Sequence, residues 1–220
     1  MAYTPTVWKN GEFPPIDAEH LNKIEQGIAN SAPGGFGLGT RTVVSVSDGR
    51  DANDLSGCGF FCVDQNTPTS DWWYGYQIEY DVGYKYQRFG RTDNFEIVER
   101  KQINNVWGDW EYLNPPMNLG VEYRTTERYL GKPVYCKVVD FGTAPNNDTK
   151  NVSLSDMNID KVCGAIFHYY VISSDENGVM TSNPNFTGFL VSNSVIQIRT
   201  NTDKTDTKFY VTIKYTKTTD

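Results

Sequence analysis

Two stretches of this chain alternate too strictly to be anything but strand. Tyr74, Tyr76, Ile78 and Tyr80 are interleaved with Gly75, Gln77 and Glu79, and far downstream Phe209, Val211, Ile213 and Tyr215 are interleaved with Tyr210, Thr212 and Lys214. Successive strand side chains point to opposite faces, so each run offers one apolar face to a core, which a period of 3.6 cannot do. Composition extends the reading. The 220 residues hold 21 Thr and 19 Val against 7 Ala and 8 Leu, and 14% are aromatic, so residues that suit a pleated surface outnumber helix formers. A mostly β protein is expected, long enough to bury a core as one large domain or two small ones.

Further β-rich runs fall at residues 42–46, 59–64, 84–89, 95–100 and 107–113, separated by turn clusters such as Asp48-Gly49 and Asp93-Asn94. Asn114-Pro115-Pro116 breaks the series, and strands are predicted again at 134–141, 162–173, 189–191, 195–200 and 209–215, the last as the closing strand of a β-sandwich. The beginning of the chain differs in kind. Asp17 is an N-cap for a predicted helix, with Ile16 and Leu21 at the spacing of a hydrophobic staple. Leu21, Ile24 and Ile28 then form one narrow apolar stripe. A helix of about 13 residues with so thin a stripe is marginal alone. It is expected to pack against copies of itself or another protein, with packing on its own β domain as the plainer alternative. The glycine-rich run 33–39 reads as a linker, since no Lys-Ser/Thr follows and no strand precedes it, as a phosphate loop would need.

Charge and cysteine usage exclude several classes. Twenty basic against 27 acidic residues give a net charge of -7, the wrong sign for neutralising phosphates, so nucleic acid is not expected; no stretch approaches the ~20 consecutive apolar residues of a membrane helix, so membrane insertion is not expected. The first residues lack a cationic segment followed by an apolar run, so synthesis and folding in a bacterial cytoplasm without a signal peptide are expected. Cys58, Cys62, Cys136 and Cys163 read as reduced core residues. With only His20 and His168 available, and neither beside a Cys pair, no metal centre or cofactor is expected. His168, between aromatics, reads as a structural histidine. Asp48, Asp51 and Asp54 lie three apart in a loop, yet lack the ligand order of a calcium loop, so a solvated turn is the reading.

The order of these segments resembles a known family. Residues 3–11, Tyr-Thr-Pro-Thr-Val-Trp-Lys-Asn-Gly, followed by Pro14, Ile16-Asp17-Ala18-Glu19 and 21–28, resemble the N-terminal attachment segment of phage and prophage tail, baseplate and fibre proteins. The stretch from Asp54-Leu55 through Trp73-Tyr74-Gly75 to Arg100, Trp107 and Trp110 is similar to the knob domains of tail fibres and pyocins. Gly131-Lys132-Pro133-Val134-Tyr135 and its sequel look like a terminal fibre domain. The resemblance implies an attachment and trimerisation helix with linker at 1–38, a knob-like β domain at 39–118 and a β-sandwich at 119–220. It further implies a homotrimer in the virion tail or baseplate, joined to other tail proteins through the N-terminal segment and adhering to a bacterial surface glycan.

Sugar binding needs flat apolar rings beside groups that read hydroxyls. Trp72, Trp73 and Tyr76 are the expected ligand contacts; adjacent Trp72 and Trp73 face opposite ways, so one of them is also a candidate core residue. Trp107 and Trp110 read as packing residues. Leu21, Ile24 and Ile28 are the expected assembly interface. No catalytic residue is assigned. Among 27 acidic residues a glycosidase pair has no distinguishing spacing, and no nucleophile motif is present. Binding without catalysis is therefore the expectation, ahead of a purely structural tail role and of a surface-polysaccharide depolymerase.

Overall fold

The computed structural model describes residues 19, 21–24, 50–180 and 186–220. Within them the chain is mostly β: β1 (Gly59–Val63), β2 (Trp73–Asp81), β3 (Tyr84–Arg91), β4 (Ile97–Ile103), β5 (Val106–Trp107), β6 (Glu111–Tyr112), β7 (Glu122–Tyr129), β8 (Lys132–Thr143), β9 (Thr149–Ser153), β10 (Ile159–Val171), β11 (Glu176–Val179), β12 (Phe186–Val191), β13 (Val195–Thr200) and β14 (Thr207–Lys217). One large sheet runs β1-β2-β3-β4-β6-β7-β8-β14-β10-β11, with β5 beside β4, and a small sheet runs β12-β13-β9. Pairing is antiparallel except at β6 and β7, which meet in parallel at Tyr112 and Thr125. The predicted strand at 42–46, the 33–39 linker and Ile28 lie outside the described residues.

The core falls into two clusters. Ala52, Leu55, Val63, Trp73, Phe89 and Val98 make the first, with Phe61, Trp110 and Tyr112 packed on it. The second lies between the sheets, where Phe209, Val211, Ile213 and Tyr215 of β14 are fully buried beside Ile196 and Ile198 of β13. The alternation in β14 therefore points inward as its pattern requires. However, β14 is central in the large sheet, hydrogen-bonded to β8 and β10, rather than a closing edge.

The alternation in β2 faces the other way. Tyr74, Ile78 and Tyr80 are exposed, while Trp73 and Gln77 are buried on the opposite face. That inner face is covered by residues 51–57, whose open carbonyls need donors. Gln77 Nε2 donates to the carbonyls of Leu55 (3.1 Å) and Gly57 (2.9 Å). Gln87 Nε2 donates to Ala52 O and Gln77 Oε1, and Arg100 Nε closes the chain on Gln87 Oε1 at 2.9 Å. A fully bonded amide ladder thus occupies positions where an apolar residue would leave three carbonyls bare. Gly75 permits it: a Cβ there would come within 2.7 Å of the Phe89 Cα, so no side chain separates the Phe89 ring from β2.

Candidate ligand-binding face

With its inner face filled by the loop, the β1-β2-β3-β4 sheet turns its aromatic residues to solvent. Phe60 of β1 pairs across to Tyr76 of β2, and Ile78 of β2 to Tyr86 of β3. Ring centroids stand 6.4 Å apart for Phe60 and Tyr76 and 6.1 Å for Tyr76 and Tyr86. With Tyr74, 57% exposed, these rings make a track across three strands. The Tyr86 hydroxyl donates to Glu99 Oε2 at 2.6 Å, which fixes the last ring. Burial and then that carboxylate push the Tyr86 hydroxyl well above the usual tyrosine range.

Beyond Tyr86 the face drops into a groove of about 600 Å³, lined by Tyr86, Glu99, Lys101, Trp107, Thr126 and Arg128 among others, a volume within the ~300–1,000 Å³ of small-molecule sites. It lies where β5 gives way to β6 and the sheet crosses from one cluster to the other. Arg100 and Trp107 also line it, whereas Trp110, three residues on, lines the hollow across the seam. The Arg100 guanidinium sits 4.2 Å from the Trp107 ring and 4.1 Å from the Trp110 ring, held by Gln87 and by Asn53 Oδ1 at 2.8 Å. Both indoles therefore serve packing, as the sequence reading has it. Burial pulls Arg100 down to about 10, which still leaves it cationic at neutral pH. On the other side of the seam a hollow of about 540 Å³ is lined by Arg91, Glu96, Trp110, Tyr112, Tyr123 and Arg124 among others.

Three residues predicted to contact ligand have different fates. Tyr76 is half-buried in the middle of the track. Trp73 must be corrected: it is wholly buried, with its ring in the first cluster and Nε1 on Thr69 Oγ1 at 3.3 Å, so it offers no face to a ligand. Trp72 is half-buried just outside β2, its carbonyl accepting from Thr92 N and Oγ1, both at 3.0 Å. Of the assembly stripe, Leu21 is 52% exposed and Ile24 partly so. Cys58 is likewise exposed rather than core, sharing its thiol with the Glu79 backbone, whereas Cys136 is buried. Asp51 is a turn residue, accepting from Asn53 N and Asn66 Nδ2, and no group of three metal-ligating side chains occurs among the described residues. His168 touches Thr212 at 3.3 Å. The residues that sequence reasoning missed are Phe60, Tyr74, Tyr86, Glu99, Lys101 and Arg128. Hairpin register over β1-β2-β3 would have gathered the first three.

No family model and no curated protein matches the chain. Among solved structures it matches an N-truncated R2-type pyocin tail fibre at 9% identity and a TM-score of 0.28, over 76% of this chain and 94% of that one. It also matches a P. aeruginosa R1 pyocin fibre comprising C-terminal residues 323–701, at 10% identity and a TM-score of 0.30, over 80% and 68% of the two chains. Both are tail fibres. At that level of likeness neither residue roles nor partners transfer to this chain.

Several tyrosines set an alkaline limit on the fold. Burial pushes the Tyr112 hydroxyl up to about 12, and Tyr215, buried and bonded to Glu122, rises further. Such groups keep their protons in the folded state after the unfolded chain, near pH 10, has released them. Stability should begin to fall near pH 9, where the unfolded chain's thiols ionise while burial holds Cys136 up to about 11, and fall further as pH rises from 10 through 12, the opposite drift of Arg100 being outnumbered. Melting temperature measured from pH 8 to 12 checks this. A flat curve through pH 12 refutes it.

Proposed function

We propose that this chain is a tail-associated adhesion protein of a phage or prophage, binding bacterial surface glycan through the Phe60-Tyr74-Tyr76-Tyr86 track and acting without catalysis. The observation that carries the reading is the inverted alternation of β2: the amides that satisfy the loop carbonyls lie inside and the rings are left outside, where they suit stacking on sugar rings. The face is shallow. A weak site of this kind becomes useful when several copies act together, raising avidity by ~10²–10⁴. The half-exposed Leu21 stripe supports a homotrimer that also docks on other tail proteins, with the β modules displayed outward on the virion.

Labelled full-length protein is expected to decorate host cells, and Tyr74→Ser with Tyr76→Ser to reduce decoration at least about tenfold while circular dichroism shows the variant still folded. Light scattering should give the mass of three chains. Decoration undiminished in the double variant removes the track from the reading, and a monomer at micromolar concentration removes the avidity argument. A second reading, a structural component that binds only virion proteins, is favoured by the bare apolar tip of the sheet, where Tyr80 is 90% and Val82 80% exposed beside Val106 and Ile103. Protein that binds baseplate extracts and no cell would support it.

A further inference from the structure

We propose that the glycan this face takes is carboxylate-bearing, and that Arg88 and Lys101 read its charge. The inference rests on the adhesion reading and adds the class of saccharide. Register puts Arg88 directly across from Tyr76 on one side and Glu99 on the other, and Lys101 directly across from Tyr86. Both cations therefore share the solvent face with the track and flank its last ring. Among the described residues neither side chain makes a hydrogen bond or an ion pair.

The cations of the neighbouring seam are differently placed. Arg91 is held by Asp71, Asp93 and Glu96, Arg124 by Asp109 and Glu111, and Arg128 by Glu111. The 540 Å³ hollow thus has no free positive charge among the described residues to offer, although it is comparable in size. On the track the facing anion is Glu99, already engaged by the Tyr86 hydroxyl, so two free cations stand against one occupied carboxylate. In a chain of net charge -7, an anionic polymer is repelled in general and drawn to this face locally.

The ring geometry selects a carboxylate. A uronate stacked on Tyr76 or Tyr86 carries its carboxylate on the edge of the stacked ring, toward the register neighbours Arg88 and Lys101. A phosphodiester between rings lies off that face. The planar guanidinium of Arg88 matches a carboxylate by two parallel hydrogen bonds, and Lys101 adds a point charge.

The test uses the full-length protein with polygalacturonate oligomers and with dextran oligomers of equal length. Uronate should bind at least about tenfold tighter than dextran, and Arg88→Gln with Lys101→Gln should abolish that advantage. Raising salt from 0.1 M to 1 M should do the same, because the screening length falls from ~10 Å to ~3 Å. Equal binding of both polymers, or a double variant that still prefers uronate, overturns the proposal; if cells are then still decorated in a Tyr74- and Tyr76-dependent way, adhesion stands without it. If neither polymer nor any cell retains the protein, the adhesion reading falls and takes this one with it. Unchanged melting of the glutamine variant separates lost charge from lost fold.

Discussion

Trp73→Ala is expected to lower stability by about 3–5 kcal/mol, the range for emptying a large aromatic site in a packed core. The ring is fully buried among Ala52, Leu55, Val63, Phe89 and Val98, and two of those neighbours belong to a loop anchored by side-chain amides, so the gap has little freedom to close. Denaturant unfolding followed by circular dichroism measures the loss. Trp73→Phe, which keeps most of the volume, should cost less than half as much. A Trp73→Ala protein within 1 kcal/mol of the parent would mean that the cluster does not hold the first module together.

Arg100→Ala should cost about 2–5 kcal/mol, adding two lost cation-π contacts to the orphaned Gln87 and Asn53 oxygens. Here the tryptophan emission is the more telling readout. Trp107 and Trp110 lose the guanidinium between them, so their fluorescence should shift to the red even under conditions where the chain stays folded. Arg100→Lys restores charge without the planar fork and should recover only part of the stability. Unshifted emission in the folded alanine variant would show that the indoles are positioned by something else.

The strands around Trp73, Phe89 and Phe209 were legible because period-two patterning is strong where one face is packed. Which face of β2 is packed was not legible. Tyr74, Tyr76, Ile78 and Tyr80 are the apolar set, and only the carbonyls of Ala52, Leu55 and Gly57, brought under the sheet by the fold, turn Gln77 and Gln87 inward. β7 and β9 escaped for a related reason: Glu122–Tyr129 and Thr149–Ser153 are largely polar, and their place is set by partners distant in sequence. Residues 107–113, read as one strand, are two short pieces, β5 and β6, with Gly108 N on the Lys101 carbonyl at 2.9 Å between them. Arg100, Trp107 and Trp110 were found through a spacing whose meaning, a cation between two rings, appears only in three dimensions. Arg88 and Lys101 carry no local signal at all, since unpaired surface cations are common and only the strand register sets these two beside the rings.

The passage of the large sheet through β6 also bears on mechanics. A pull applied between the first cluster and the second crosses the sheet at Glu111 and Tyr112, through one parallel bridge to Thr125, the ring contact of Tyr112 with Tyr123, and the ion pairs of Asp109 and Glu111 with Arg124 and of Glu111 with Arg128. Every other strand junction in that sheet shares the load over a longer ladder or lies off the line of force. Under tension between its two halves the molecule should therefore part at this waist first, each half keeping its own packed interior.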